Sequence, residues 1–191
     1  MTTKTNTKAN TKANTKANVS YQPIKKFGAT NLSATVFGLG YIKYAPGTIG
    51  SLVGLIDFAV SIHFLHTLNF FYIPFIIVTS YYFINRYCTI TKKHDPKEVV
   101  LDEYAGQYLT CFLAYYILSF TNTESVRLYD TYILNYYVMA SSFIFFRFFD
   151  ITKLSLVGYF DNKDDSFSVL MDDLVAGIFA AIITVLIFTI I

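Results

Sequence analysis

The sequence predicts an all-α protein, a multi-helix integral membrane bundle of about five apolar helices with charged segments on its cytoplasmic face. Three observations predict this class: an apolar composition, five long apolar stretches and a one-sided distribution of positive charge. Apolar residue types make up 54% of the 191 residues, charged residues make up 15%, and the mean hydropathy is +0.44. Typical soluble domains carry about 25% charged residues. This composition excludes a disordered protein, a collagen or a nucleic-acid-binding module as a description of the whole chain.

The chain begins with a basic tail. Residues 1–26 contain six lysines and no acid, and a four-residue repeat, mostly Thr-Lys-Ala-Asn, fills residues 3–18. Such a segment cannot bury an apolar core, so we expect 1–26 to be disordered and 27–191 to form one helical domain. Lysines beside a membrane are attracted to anionic headgroups, which makes anionic lipid a candidate partner of the tail. The tail alone does not indicate nucleic acid.

Five apolar stretches follow the tail, each close to the length of about 20 residues that a helix needs to cross the hydrocarbon layer. A shorter, glycine-containing stretch at 32–42 is interpreted as an approach loop or a re-entrant segment. Buried helices of a peripheral protein are the alternative interpretation of the long stretches. The five predicted spans are 49–67, 68–85, 105–120, 131–149 and 174–191.

The positions of lysine and arginine predict the orientation. With a cytoplasmic N-terminus, the chain through residue 48 and the segments 86–104 and 150–173 lie on the cytoplasmic side. Together with Arg147 they hold 14 of the 15 basic residues, and Arg127 falls in an outer loop. This is the positive-inside bias of membrane proteins. It predicts a multi-pass protein of the cytoplasmic membrane.

The first segment that can carry chemistry is the run YAPGTIGS at 44–51, directly ahead of the first long apolar stretch. A helix start of this kind leaves backbone N–H groups free, and these attract anions. Gly47 and the hydroxyls of Thr48 and Ser51 are therefore candidates for contact with a phosphate. An ordinary turn with a helix N-cap is the alternative.

The second segment is HDPKEVVLDEYAG at 94–106, in which Asp102 and Glu103 open an apolar helix. Adjacent helical residues point about 100° apart, so both acids can flank one site only at the mouth of the helix. Gly106 lies one turn after Asp102, where a missing side chain permits a close approach. The alternative is that first-turn acids simply complement the helix dipole.

The third segment holds Arg147, Asp150 and Lys153, which are spaced three apart and can meet on a helix surface. A structural ion pair is the alternative for this trio. Asp172 and Asp173 then repeat the pattern of two adjacent acids at the mouth of an apolar helix.

Together, the three segments gather carboxylates and cations at one membrane face. Clustered like charges raise each other's energetic cost unless a cation neutralises them. Carboxylate ligands select Mg²⁺ or Mn²⁺ over zinc, and neighbouring arginine and lysine suit a phosphate. The sequence therefore predicts metal-assisted phosphoryl chemistry at the headgroup plane. It contains none of the usual motifs of phosphoenzymes that use cysteine, histidine or aspartate.

The ordered motifs resemble those of the phosphatidylglycerophosphatase A family of bacterial lipid phosphatases. The matching pieces are F-G-x-G…P-G-T-x-G-S at 37–51, H-D-x4-V-x-D-E-x2-G at 94–106, F-R-x2-D-x2-K at 146–153 and the acid pair within LMDDLVAG at 170–177. The resemblance spans roughly residues 30–185.

The resemblance implies an all-helical enzyme of the bacterial inner membrane that hydrolyses phosphatidylglycerophosphate to phosphatidylglycerol and phosphate with Mg²⁺. For a site built from these motifs we expect a water molecule to attack the phosphorus directly, without a phosphoenzyme intermediate. Arg147 and Lys153 would be the basic catalytic partners, and His94 joins Gly47, Thr48 and Ser51 as a candidate substrate contact. The acids that would act in catalysis and bind the metal are Asp102, Glu103, Asp150, Asp172 and Asp173.

A non-catalytic membrane protein, a small transporter or a scaffold, is the alternative from another class. Its intramembrane charges would pair structurally. Asp57, half-way along the first apolar stretch, favours this alternative because such residues often mark an ion path.

Overall fold

The computed structural model describes residues 28–65, 68–121, 131–154, 156–161 and 165–190. Within these ranges the fold is all-α, with seven α-helices, one short 3-10 helix and no strand. The predicted all-helical class is confirmed. The basic tail and Arg127 lie outside the described residues, so the expectation of a disordered tail stays a prediction.

A helix lies at each of the five predicted apolar stretches, and shorter elements connect them. The 3-10 helix Leu39–Tyr41 lies in the segment interpreted as an approach loop, and it joins the first two α-helices. The α-helices are α1 (Ala29–Ala34), α2 (Pro46–Phe64), α3 (Asn69–Thr91), α4 (Leu101–Thr121), α5 (Thr131–Thr152), α6 (Leu156–Asp161) and α7 (Ser166–Ile190).

Two of the described helices, α2 and α7, are long and apolar enough to cross a membrane. The other three long helices carry more polar side chains. For example, α4 contains four tyrosines, a glutamine and two acids among its 21 residues. All five predicted spans are therefore helices, and two of the five have the length and composition of a membrane span.

Helix α4 lies at the centre of the bundle and packs against α2 on one side and α7 on the other. The contact with α2 is backbone to backbone. A Cβ added at Gly50 would lie 2.7 Å from the carbonyl oxygen of Val100, and one added at Gly54 would collide with the carbonyl oxygen of Tyr104. Gly50 faces Val100 and Gly54 faces Tyr104, so residue numbers rise in the same direction along both helices. Helices α2 and α4 therefore run parallel and begin at the same end of the bundle.

Buried polar side chains connect the inner helices. The hydroxyl of the fully buried Tyr108 on α4 shares a 2.6 Å hydrogen bond with Ser61 on α2 and donates to Oδ1 of Asn69 on α3 at 2.8 Å. Each such bond contributes about 1 kcal/mol net to stability. The edge of the Tyr108 ring also packs against Phe58, with ring centroids 5.4 Å apart.

Asp57, which favours the non-catalytic alternative, belongs to this same buried framework. Its Oδ2 accepts hydrogen bonds from the hydroxyls of Tyr104 at 2.6 Å and Tyr72 at 3.2 Å. The carboxylate thereby links α2, α3 and α4. Asp57 does not line the cavity that holds the predicted site acids.

Candidate active site

The three predicted segments meet in one cavity at the end of the bundle where α2, α4 and α7 begin and α5 ends. The cavity has a volume of about 320 Å³. Its lining includes all five predicted acids, Lys153, His94 and Pro46, which is the first residue of α2.

The same local hydrogen bond orients each of the two acid pairs. Oδ1 of Asp102 accepts the backbone N–H of Glu103 at 3.1 Å, and Oδ1 of Asp172 accepts the backbone N–H of Asp173 at 3.0 Å. In each pair the first acid is fixed against the backbone of the second. Asp102 is 6% exposed and Asp173 is 3% exposed, so the pairs lie inside the helix bundle.

Three of the acids form a cluster of the size of a metal site. One oxygen from each of Asp102, Glu103 and Asp173 lies within 4.8 Å of the others. Oε2 of Glu103 and Oδ1 of Asp173 are buried and have no hydrogen-bond partner in the described part of the chain. Buried carboxylate oxygens without donors are energetically costly, and a hard divalent cation would satisfy them. These residues therefore fit a divalent metal ion.

Gly106 allows this cluster to form. A Cβ at Gly106 would lie 2.7 Å from the carbonyl oxygen of Asp173, and one at Gly177 would lie 2.7 Å from the carbonyl oxygen of Gly106. The α4 and α7 backbones are thus in direct contact, which brings the acid of α7 beside those of α4.

The other two acids are held by cations. Arg147 forms an ion pair with Asp150, and Nζ of Lys153 lies 3.3 Å from Oδ1 of Asp150 and 2.5 Å from Oδ2 of Asp172. The ion-pair alternative for the third segment is therefore realised, with Asp150 and Lys153 lining the cavity and Arg147 lying behind Asp150, outside the lining. The five predicted acids divide into three clustered carboxylates and two that fix the cations.

Lys153 is the first residue after α5 and adopts φ +47°, a left-handed conformation that is uncommon for residues with a side chain. Burial acts to lower the pKa of its ammonium group. The carboxylates of Asp173 and Asp172 outweigh this effect, so the pKa lies above its ordinary value. Lys153 consequently keeps its positive charge at neutral pH.

The first segment contacts the site through Gly47 and Ser51. A Cβ at Gly47 would collide with Oε1 of Glu103 and lie 3.4 Å from Nη1 of Arg147. Ser51 is fully buried, donates to the carbonyl oxygen of Gly47 at 2.8 Å and accepts a hydrogen bond from Arg147 at 3.2 Å. Thr48 is half-buried and does not line the cavity. Direct contact of these residues with a phosphate stays a prediction.

One wall of the cavity is formed by residues 92–100, which connect α3 to α4 and which we call the wall segment. Glu98 fixes this segment, because its Oε1 accepts hydrogen bonds from Nζ of Lys93 at 2.7 Å and from the Tyr87 hydroxyl at 3.1 Å. Burial acts to raise the pKa of Glu98, but the hydrogen bonds from Lys93, the backbone and Tyr87, together with the charge of Lys93, outweigh it, and the pKa lies below its ordinary value. His94 is exposed on this wall.

Two further charged residues of the wall segment, Asp95 and Lys97, line the cavity. Asp95 belongs to the motif at 94–106 but was not predicted as a site residue, and analysis of the sequence missed Lys97. Lys97 occupies one of the variable positions of the motif at 94–106, so the resemblance did not mark it. Its position between His94 and the acid pair was the available signal.

Comparison with known proteins gives the same family as the motifs. Residues 32–188 match the profile of the family described as Phosphatidylglycerophosphatase A. A protein of that name from Haemophilus influenzae is 31% identical over 172 residues, which cover 84% of this chain and 91% of the relative. One of the same name from Escherichia coli is 26% identical over 169 residues, covering 85% and 86%.

A third relative has a different name. A Bacteroides thetaiotaomicron protein named "Putative phosphatidylinositol-3-phosphatase" is 28% identical over 156 residues, covering 80% of this chain and 89% of the relative. No solved structure matches the chain significantly. The profile match over most of the sequence, together with the 31% identical relative, shows that this chain belongs to the phosphatidylglycerophosphatase A family.

Proposed function

We propose that the protein is a lipid phosphatase that hydrolyses phosphatidylglycerophosphate to phosphatidylglycerol and inorganic phosphate in phospholipid biosynthesis. The observation that carries this proposal is the buried cluster of Asp102, Glu103 and Asp173 in one cavity with Lys153, beside Arg147, which is paired with the lining residue Asp150. Clustered acids that fit a metal ion, next to arginine and lysine, are suited to phosphate esters. Family membership supports the choice of substrate.

The site would lie at the cytoplasmic headgroup plane of a bacterial inner membrane. Both helices with the composition of a span, α2 and α7, begin at the end of the bundle that holds the cavity. Large apolar side chains on the outer surfaces support this placement, among them Phe64 at 82% exposure and Phe71 at 74%. We extend the proposal to five crossings, because α3, α4 and α5 are long enough to accompany α2 and α7 across the bilayer.

Asp102, Glu103 and Asp173 would hold Mg²⁺, and their hard oxygen ligands favour it over zinc. When bound, the ion supplies Lewis-acid neutralisation of the phosphate charge. Asp150 and Asp172, also predicted as ligands, would instead keep Arg147 and Lys153 in place.

Arg147 and Lys153 would bind the phosphomonoester and stabilise the negative charge that develops on its oxygens and on the departing glycerol oxygen. Both are fixed by carboxylates before substrate arrives, so little reorganisation is needed on binding.

Glu103 and Asp172 are the two candidates for accepting the proton of the attacking water. Glu103 is the better one, and it would act through the carboxylate oxygen that does not bind the metal. Both oxygens of the other candidate, Asp172, already accept hydrogen bonds, from Lys153 and from the backbone of Asp173. Oε2 of Glu103 has no hydrogen-bond partner among the described residues. Direct attack inverts the configuration at phosphorus, whereas a phosphoenzyme retains it. Hydrolysis of a chiral thiophosphate analogue in isotopic water should show inversion, and retention would contradict direct attack.

The substrate is tested by measuring phosphate release from defined lipids in non-ionic detergent micelles containing Mg²⁺. We expect the highest kcat/KM on phosphatidylglycerophosphate. Phosphatidylinositol 3-phosphate is the second candidate, because one relative is named for that activity. A higher kcat/KM on the inositol lipid would reassign the substrate, and no release from either lipid would favour the transporter or scaffold alternative.

A further inference from the structure

We propose that Lys97 binds the phosphodiester of the lipid headgroup and so selects lipids that carry two phosphates. This inference rests on the proposed function, because the inner part of the cavity must hold the phosphomonoester. Lys97 lies on the wall segment, lines the cavity and is exposed to solvent.

The distribution of charge in the cavity supports this assignment. Lys153, the cation that lines the inner part of the cavity, and Arg147 behind it are engaged by Asp150 and Asp172. Lys97 lines the same cavity and forms no ion pair with any described residue, including its neighbour Asp95. Its charge is therefore available to a ligand at the mouth.

The neighbouring lysines of the wall segment do not offer the same charge to the cavity. Lys93 is paired with Glu98 at 2.7 Å, and Lys92 is exposed but does not line the cavity. Of the three lysines of this segment, Lys97 alone combines exposure, an unpaired charge and a position on the cavity surface.

The chemistry of the substrate places a second anion near this position. Phosphatidylglycerophosphate carries a terminal phosphomonoester and, one glycerol unit away, a phosphodiester that leads to the acyl chains. With the monoester held among the buried acids and cations, the diester must lie toward the mouth, because the lipid leaves the cavity there. The exposed residues His94, Asp95 and Lys97 mark that mouth.

The wall segment holds Lys97 in a defined place. Its neighbour Glu98 is bound by Lys93 and Tyr87, and the backbone N–H of Val100 donates to the carbonyl oxygen of Ala34 on α1 at 3.1 Å. A lysine on such an anchored segment is positioned before the lipid binds, which lowers the entropy cost of the contact.

The test compares Lys97→Gln with the matched control Lys92→Gln, which removes the same charge from the same segment outside the cavity. Phosphate release from phosphatidylglycerophosphate is measured in non-ionic micelles at fixed ionic strength. We expect Lys97→Gln to raise KM about fivefold at nearly unchanged kcat, because a charge-assisted contact to the diester is lost. Lys92→Gln should match the wild type, and Lys97→Arg should restore most of the affinity.

Inhibition by inorganic phosphate distinguishes weaker binding in the inner part of the cavity from weaker binding at its mouth. Phosphate occupies the inner, monoester part, so its inhibition constant should be the same in Lys97→Gln and in the wild type. An equal KM in Lys97→Gln and Lys92→Gln would overturn the inference, as would a parallel rise in KM and in the inhibition constant. Failure of the wild type to release phosphate from the lipid is a separate result, which overturns the proposed function and this inference with it.

Discussion

Arg147 is positioned by neighbours on two helices. It forms an ion pair with Asp150 on its own helix and donates a hydrogen bond to the buried Ser51 of α2. Ser51 in turn donates to the backbone of Gly47, where the absence of a side chain leaves room for Glu103. The cation is thereby aligned by two helices that are far apart in the sequence.

Substitution Ser51→Ala should therefore reduce kcat about fivefold while leaving KM within about twofold. The reason is the loss of one hydrogen bond, worth about 1 kcal/mol, that orients Arg147. Ser61→Ala is the matched control, a buried serine of the same helix bonded to Tyr108, and it should lower stability but not kcat. A kcat for Ser51→Ala equal to that of the wild type would contradict the positioning role.

Metal binding by the acidic cluster is testable without turnover. Mg²⁺ should raise the Tm of the wild-type protein, because a ligand that binds only the folded state stabilises it by about 2.7 kcal/mol at 100 times its Kd. Asp102→Asn and Asp173→Asn should each abolish the rise and stay folded, since they remove a charge from a buried cluster of like charges. Asp165→Asn, outside the cavity, is the control. An undiminished Mg²⁺ effect in both cluster variants would exclude these acids as ligands.

At the scale of helices, the crossing of α4 and α7 determines whether the cluster exists. Alanine is normally better than glycine inside a helix by about 1 kcal/mol. At Gly106 the added Cβ would lie 2.7 Å from both the Asp173 carbonyl oxygen and the Phe146 ring. The steric cost of this contact should outweigh the higher helix propensity of alanine.

Gly106→Ala should accordingly lower stability by about 1–3 kcal/mol, as overpacking usually does, and reduce phosphate release at least tenfold. Thermal unfolding and initial rates measure the two effects. Ser119→Ala, at an exposed position of the same helix, should leave both nearly unchanged. A stabilised and fully active Gly106→Ala variant would show that the two backbones are not in contact there.

The sequence predicted the existence of the long helices better than their ends. Apolar stretches mark the inner parts of helices, whereas α7 begins eight residues before the predicted position because serines and aspartates alternate with apolar residues in its first two turns. Asp165 starts this helix, since its Oδ1 accepts the backbone N–H of Ser168 at 2.6 Å. The short helix α6 has no apolar stretch long enough to predict it.

The five acids that the sequence singled out all line one cavity, but how they divide between the cluster and the cations was not predicted. The spacing of Arg147 and Asp150 predicted that they can meet, because both lie on one helix. Which acid a cation engages across helices depends on how α5 and α7 pack, and no local pattern contains that information. The same reason explains why the role of the Ser51 hydroxyl and the position of Lys97 emerged only from the structure.

For the molecule as a whole, the catalytic unit should be independent of the basic tail. The family profile begins at residue 32, and the tail repeat holds no acid or aromatic residue. Deletion of residues 2–18 should leave specific activity in neutral micelles unchanged. In anionic micelles the deletion should weaken the attraction of the protein to the micelle surface by at most about 1 kcal/mol per removed lysine, before screening by salt. Complete loss of activity in a correctly inserted truncation would contradict this separation.

The central claim is that the acidic cavity hydrolyses a lipid phosphomonoester with Mg²⁺. The most direct test is the initial rate of phosphate release from phosphatidylglycerophosphate, measured for the wild type, Asp173→Asn and Asp165→Asn with Mg²⁺ or with EDTA. We expect release by the wild type and Asp165→Asn only with Mg²⁺, and less than about a hundredth of that rate from Asp173→Asn. The reason is that Asp173→Asn removes a ligand of the ion that stabilises transition-state charge, and losing one such stabilising group costs about 10²–10³ in rate. Release that persists in EDTA, or an Asp173→Asn rate above about a tenth of the wild-type rate, would contradict the claim.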